Sequence, residues 1–346
     1  MDLEKWFILT QEYAQKMSAT TVLETLDLMA ELIHGDTQTT NNTAPGQHYE
    51  NENMKLKAIN ESHGENHSIY NADCVELIKQ LPDEIIDLSI YSPPFANLYV
   101  YSDSVADMGN CANDDEFFDQ YKHLIAEKFR VTKKGRLSCV HCMDLPSSKT
   151  MHGYIGRRDF SGQIIQAHIE AGWIFHCRVT VWKDPVVEMQ RTKALGLLHK
   201  TIKKDSSRSR MGNPDYLLVF VKPGENLEPI THTKEEFPVD QWQQWASPVW
   251  MDINQTNVLN GRDGRTDKDE KHICPLQLDF IYRCLILWSN EGDTILSPFM
   301  GIGSEGYQSV KYGRKFIGTE LKESYFYQAS RFLEQSEMEK GDLFNV

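Results

Sequence analysis

Two short stretches of this 346-residue chain carry residue types that can do chemistry on a ligand. The first is Ser92-Pro93-Pro94-Phe95, placed directly after the apolar run IIDLSIY. Successive prolines fix φ and remove backbone donors, so the carbonyls at that point cannot continue a ladder and are held outward. They are rigid acceptors for an amino group, and Phe95 offers a ring on which a planar group can stack. Taken alone, the same four residues are as good a stop that merely ends a strand. The second stretch is Gly301-Ile302-Gly303-Ser304-Glu305-Gly306, which follows a predicted strand, opens a predicted helix and is succeeded by Glu320 at the end of the next strand. Glycines there let backbone amides approach a ligand, the helix N-terminus favours its anionic part, and a carboxylate can take a pair of ribose hydroxyls. Any adenosine-containing cofactor suits that arrangement, so the pattern does not choose between a nicotinamide cofactor and S-adenosylmethionine.

A third concentration is electrostatic. RTKALGLLHKTIKKDSSRSR gathers Arg191, Lys193, Lys200, Lys203, Lys204, Arg208 and Arg210 around one acid, Asp205, and SSKTMHGYIGRRD adds Arg157 and Arg158. The chain as a whole carries a formal charge of −14. That excludes uniform coating of a polyanion but not one local basic face, which is what phosphate contacts need. Cys139-Val140-His141-Cys142 has a C-x-x-C spacing, yet it falls inside a predicted buried strand with no second pair at metal-ligand spacing, so core cysteines and no metal site are expected. Spacing alone makes no Ser-His-Asp order or pair of catalytic carboxylates convincing.

Strands and helices must position these groups, and they alternate from about His67 onward. HSIYNAD leads into a helix beginning near Asp73; IIDLSIYS, GRLSCVHCMD, IFHCRVTVW and DYLLVFVK read as strands; DEFFDQYKHLIAEKFRVT and FSGQIIQAHIEAG read as amphipathic helices. A helix at about 275–289, the strand DTILSPF, the glycine turn, a helix, the strand KFIGTE and a last helix complete the chain. This rhythm predicts an α/β fold with a parallel sheet wrapped by helices. Only one helix and a short tail follow Glu320, so the rest of the sheet must come from upstream and the cofactor half is written last. In open α/β sheets ligands bind at the carboxyl ends of the strands, which is where Ser92–Phe95 falls.

Residues 1–34 carry apolar residues at mostly helical spacing and are expected to form a helical appendage for packing or self-association, with a homodimer as the implied assembly. Residues 35–66 are polar and read as a linker or mobile segment; 67–335 form the main domain and 336–346 a tail. No stretch approaches eighteen apolar residues and no basic leader precedes an apolar run, so no membrane partner and a cytoplasmic setting are expected. An odd count of seven cysteines does not look like a disulfide framework.

SPPF upstream together with SPFMGIGSEG and Glu320 downstream resembles the beta-group amino-methyltransferases of DNA, in which the catalytic motif precedes the cofactor motif. The resemblance covers the chain from about His67 to Glu334, and DFSGQIIQAHIEAGWIFHCRVTVWKDPVVEMQRTKALGLLHK looks like enzymes carried by phages and prophages, which implies a bacterial cell or an infected host. It implies a permuted Rossmann-like methyltransferase fold with a mostly parallel seven-stranded sheet and one antiparallel strand. It implies S-adenosyl-L-methionine as cofactor, held by Asp73 and Cys74, by His272 and Pro275, by Ser297, Phe299, Gly301 and Gly303, and by Glu320 as the ribose acid. It implies DNA as partner, with contacts from loops at about 144–165 and 186–213 and a short recognition region at 225–270. Ser297 departs from the Asp that often opens the cofactor motif. Ser92, Pro93, Pro94 and Phe95 become the catalytic motif. Its first residue is Ser rather than the Asp or Asn usual in adenine-N6 enzymes, and SPP followed by an aromatic is commoner among cytosine-N4 enzymes. Methylation of cytosine N4 is therefore expected, with adenine N6 as the alternative. An idle DNA-binding module and an NAD-linked oxidoreductase are the readings from other classes.

Overall fold

The computed structural model describes residues 56–95, 108–111, 113–147, 149–192, 195–259 and 275–343. The chain divides into two units, 1–54 and 55–346. The expected helical appendage 1–34 lies outside the described residues, as do Lys193 and His272.

The second unit is built on one nine-stranded sheet. Its strands are β1 (Asn60–His63), β2 (His67–Asn71), β3 (Ile86–Tyr91), β4 (Thr132–Cys142), β7 (Ile174–Val181), β8 (Asp215–Val221), β9 (Val249–Trp250), β10 (Thr294–Ser297) and β11 (Lys315–Thr319); β5 (Leu145–Ser147) and β6 (Gly156–Arg158) pair separately. The order across the sheet is β1-β2-β11-β10-β3-β4-β8-β7-β9. β8 runs antiparallel between β4 and β7, and β1 runs antiparallel to β2; the remaining pairs are parallel. The expected seven strands with one antiparallel member are thus present from β2 to β7, and β1 and the two-residue β9 extend the edges. β3 is buried at all six residues, as a central parallel strand covered on both faces must be.

Ten helices are described: α1 (Cys74–Ile78), α2 (Asp114–Val131), α3 (Lys149–His152), α4 (Phe160–Glu170), α5 (Pro185–Thr192), α6 (His199–Lys204), α7 (Val239–Trp245), α8 (Leu278–Trp288), α9 (Ser304–Lys311) and α10 (Glu323–Leu343). α1, α2 and α4 bury Leu77, Phe117, Leu124 and Ile164 on one face of the sheet. α8, α9 and α10 bury Phe280, Leu285, Val310 and Leu333 on the other. Start signals are local: Asp73 accepts the Glu76 N–H at the head of α1, and Asn113 accepts the Glu116 N–H at the head of α2.

Three boundaries differ from the sequence reading. Asn60–His63, inside the expected linker, forms β1, because a polar edge strand needs only a partner backbone and not an apolar face. α10 runs through the expected tail to Leu343, and the Ser336 hydroxyl donates to the Tyr307 carbonyl while Glu339 accepts from the Tyr307 hydroxyl, which ties that end to α9. Part of the expected recognition region folds back onto the domain. Trp245 and Trp250 flank the Arg283 guanidinium of α8 at 4.8 and 4.7 Å, and Arg283 pairs with Asp252.

The amino-terminal pole of the sheet is pinned by charge. The fully buried Arg136 donates to Asp87 and Asp293, Lys133 pairs with Asp87, and Asp87 also accepts the Thr294 N–H, so β3, β4 and β10 are locked in register. The nearby acids Asp87, Glu228 and Asp293 are thereby matched by side-chain cations, with Glu228 paired to Lys133.

Candidate active site

The carboxyl pole lies at the other end of β3, about 17 Å away at strand rise. β3 ends at Tyr91, whose hydroxyl lies 2.6 Å from that of Tyr121 and accepts from Lys128 Nζ at 2.7 Å. Lys128 Nζ also donates to Ser138 and sits 4.0 Å from the Tyr91 ring centre. Complete burial pushes the Lys128 pKa well below its ordinary value. This buried network fixes the last strand residue before the prolines. Ser92 follows, half-buried, with Pro93 buried behind it. Phe95 meets Phe160 of α4 edge-on at 6.4 Å between ring centres.

Ser92 Oγ lies 3.1 Å from Nδ1 of His141 and 3.2 Å from the His141 carbonyl oxygen. His141 Nε2 is 3.1 Å from Asp215 Oδ2, and Lys183 holds Asp215 Oδ1. Burial alone would raise the Asp215 pKa, but its interactions with His141 and Lys183 outweigh it and hold the carboxyl at about 2. A Ser-His-Asp array therefore exists here, although spacing does not reveal it. Cys139 and Cys142 are buried in the two opposite cores, since positions three apart on a strand face opposite ways, and their sulfurs do not converge on one point.

The glycine loop stands beside this array. β10 pairs in parallel with β3, Ile295 opposite Leu88 and Leu296 opposite Ser89. Phe299 then reaches Tyr91, ring centres 6.0 Å apart. Gly301 and Gly303 both take positive φ, +54° and +91°, and the Gly303 N–H closes a tight turn on the Met300 carbonyl. The Gly301 N–H donates to Glu320 Oε2 and the Lys322 N–H to Glu320 Oε1, so the carboxylate is fixed at the end of β11 between the loop and α10. β2 delivers Asp73 and Cys74 next to it: the Ala72 N–H and the Asn71 amide both donate to the Glu320 carbonyl. The Ser297 and Ser304 hydroxyls are buried with no hydrogen-bond partner among the described residues. Burial pushes the Glu305 carboxyl up to about 8, with the Glu320 charge adding to the shift. Pro275 lies just before α8, whose first residue, Leu278, accepts from Gln308 of α9.

A DNA methylase family model covering N6 and N4 enzymes matches residues 86–331. The chain belongs to that family. Among relatives of this methylase, the type II methyltransferase M.BamHI of Bacillus amyloliquefaciens is 25% identical over 254 residues, which is 73% of this chain but 54% of M.BamHI, so the match spans about half of that protein. The DNA adenine methyltransferase YhdJ of Escherichia coli K12 is 26% identical over 77% of this chain and 82% of its own. The cytosine-N4-specific PvuII DNA methyltransferase shares the fold with a TM-score of 0.54 and 18% identity, over 81% of this chain and 93% of that one. The Thermus thermophilus protein TTHA0409, crystallised with S-adenosyl-L-methionine, shares it with a TM-score of 0.57 and 18% identity, over 79% of this chain and 96% of that one.

The methylase's basic residues sort into two groups. Arg157 donates to the carbonyls of Met211 and Gly212, which brings the two basic loops together. Arg158 pairs with Asp114 and Arg210 approaches Glu188. These three are engaged in holding the loops. Lys200, Lys203 and Lys204 of α6 and Arg208 are exposed, Arg208 beside Asp205. The residues that sequence reading missed are His141, Asp215 and Lys183. The available signal was a lone histidine near the carboxyl end of a strand whose last seven residues are all buried.

Proposed function

We propose that this methylase transfers a methyl group from S-adenosyl-L-methionine to an exocyclic amine of a DNA base, cytosine N4 in preference to adenine N6. The observation that carries it is the parallel pairing of β3 with β10, which sets Ser92–Phe95 beside the glycine loop at one pole of the sheet. The loop's groups suit the cofactor: among the described residues, a Cβ added at Gly301 would meet nothing within 4 Å, and two buried serine hydroxyls there lack partners. When bound, the cofactor supplies an electrophilic methyl on a sulfonium. Gly301, Gly303 and Ser297 would line its methionine and sugar side, Glu320 would take the ribose hydroxyls, and Asp73 and Cys74 would flank the adenine.

An exocyclic amine is a poor nucleophile because its lone pair is delocalised into the ring. Ser92 Oγ and the Pro93 carbonyl accept the amine's hydrogens, which favours a pyramidal nitrogen with its lone pair aimed at the methyl. Positioning of this kind supplies roughly 7 to 11 kcal/mol, against about 3 to 5 for a general base, so a motif without a carboxylate is sufficient. The base must leave the duplex to reach the pole, and Phe95 is the platform on which it stacks. Lys200, Lys203, Lys204 and Arg208 take the phosphates against an acidic background.

Serine at position 92 favours cytosine, while YhdJ keeps adenine as the second reading. Mass spectrometry of nucleosides from unmethylated bacterial DNA treated with protein and cofactor decides between them. N4-methylcytosine is expected; N6-methyladenine overturns the choice of base, and no methylated nucleoside overturns the proposal.

A further inference from the structure

We propose that His141, backed by Asp215 and Lys183, is a proton relay behind Ser92 that takes up the proton shed by the methylated amine. The proposal rests on Ser92 as the amine's acceptor, argued above. Three strand ends build it. Ser92 follows β3, His141 is the penultimate residue of β4, and Asp215 opens β8, whose antiparallel course brings its first residue to the carboxyl pole. Val181 of β7 lies opposite Asp215, so Lys183 arrives two residues later to hold the second carboxylate oxygen.

The relay uses the tautomer with its proton on Nε2: an ionised carboxylate only accepts, so Nε2–H faces Asp215 and the Nδ1 lone pair is turned to Ser92. The His141–Asp215 contact is an ion-pair approach without the alignment of a straight hydrogen bond, an arrangement that becomes more favourable when the ring is charged. Ser92 Oγ–H has two acceptors in reach, Nδ1 and the His141 carbonyl. With the ring neutral the hydroxyl donates to Nδ1; with the ring charged, Nδ1–H donates to Oγ and the hydroxyl turns to the carbonyl.

In the transfer, the donor's carbon–sulfur bond breaks as the nitrogen–carbon bond forms. The sulfonium becomes a neutral thioether and the positive charge passes to the amine. An amine proton moves to Ser92 Oγ while the hydroxyl proton passes to His141 Nδ1. The products are a neutral methylamine and an imidazolium beside the Asp215 carboxylate, and the proton leaves to solvent between turnovers. Among the described residues, the His141 ring is faced by Ser92 from the end of β3, by Asp215 from β8 with Lys183 behind it, and by the Phe280 ring of α8 at 5.2 Å.

The test is the pH profile of single-turnover methyl transfer to unmethylated bacterial DNA, for wild type, His141→Gln, Ser92→Ala and the double variant. Wild type is expected to lose rate on acidification with a one-proton limb. His141→Gln is expected to be about 10²- to 10⁴-fold slower, with that limb gone and cofactor affinity unchanged. The double variant is expected to be no slower than the slower single one. An acid limb that persists in His141→Gln, or multiplicative losses in the double variant, overturns the relay while leaving DNA methylation intact. Absence of methylation by wild type is instead the failure of the functional reading. Nitrogen-15 imidazole spectra of the wild-type protein, assigned by difference against Asp215→Asn, give a readout independent of turnover. A neutral Nε2–H tautomer is expected at His141, and a neutral Nδ1–H tautomer overturns the relay even if His141→Gln fails to fold.

Discussion

Alanine at Gly301 and at Gly303 separates the cofactor cradle from the packing that supports it. Both glycines hold positive φ, where an L side chain costs about 1 to 2 kcal/mol. At Gly303 the new methyl would also lie 3.0 Å from Ala329 Cβ and Leu333 Cδ1 and 3.1 Å from Ala329 Cα, against the backbone of α10. Overpacking of that kind adds about 1 to 3 kcal/mol, for a total of roughly 2 to 5. At Gly301 a methyl meets no atom of the described residues within 4 Å, so the expected loss of stability is the strain alone, while the methyl enters the space assigned to the cofactor. A loss of about 1.4 kcal/mol or more in binding is at least tenfold in Kd. Urea denaturation followed by circular dichroism and calorimetric titration with S-adenosyl-L-methionine measure the two quantities on each variant. Gly301→Ala should lose affinity and keep most of its stability; Gly303→Ala should lose stability and bind nearly as wild type where folded. Wild-type affinity in Gly301→Ala would refute the placement of the cofactor, and equal stability of the two variants would refute the packing.

Glu305, held near 8 by burial and by Glu320 against an ordinary 4.5, keeps in the folded state a proton that the unfolded chain releases. Its contribution is therefore complete below about pH 4.5 and is lost as pH rises toward about 8, so the stability difference between wild type and Glu305→Gln should drift by up to about 1.4 kcal/mol per pH unit across that window. A difference flat with pH counts against it. Lys128 has the opposite sign: burial favours its neutral form, the unfolded chain is protonated, and stability falls as pH drops from the lysine range. Lys128→Met should fold and show a shallower fall between pH 9 and pH 7 in thermal unfolding; identical slopes would mean that Lys128 stays charged. Replacing Lys200, Lys203 and Lys204 together by Gln should weaken DNA binding across sequences and lower the salt slope by about 2 to 3, read by fluorescence anisotropy at several salt concentrations. An unchanged slope would move the phosphate contacts elsewhere.

What could be read from the sequence was local. The apolar runs of β3, β4 and β8 exceed what any loop needs, Asp73 and Gly172 punctuate helices, and Ser92–Phe95 and the glycine loop carry their own spacing. What could not be read depends on register. The Ser92–His141 contact joins residues 49 apart, and it exists because β3 and β4 pair in parallel with Tyr91 opposite Val140. β1 was hidden because NESH has no apolar alternation, and the end of α10 because its hold on Tyr307 and Lys311 is made by Ser336 and Glu339 across two elements. Composition likewise cannot see that Arg157, Arg158 and Arg210 have carbonyls and acids of the fold as partners.

The placement of β3 between β4 and β10 has a consequence for synthesis. The bond from Thr294 to Asp87 spans 207 residues, so a growing chain displays β3 long before its neighbour is made. Until then β3 and β2 each offer a bare edge of unpaired backbone N–H and C=O groups, the sides later covered by β10 and β11. A ribosome that stops between Val221 and Thr294 leaves a fragment that carries Ser92–Phe95 without the glycine loop, and two adhesive strand edges. Nonsense mutations over most of the gene should therefore produce insoluble fragments rather than weak enzymes, and the working site comes into being only as the last strands are threaded into the middle of the sheet.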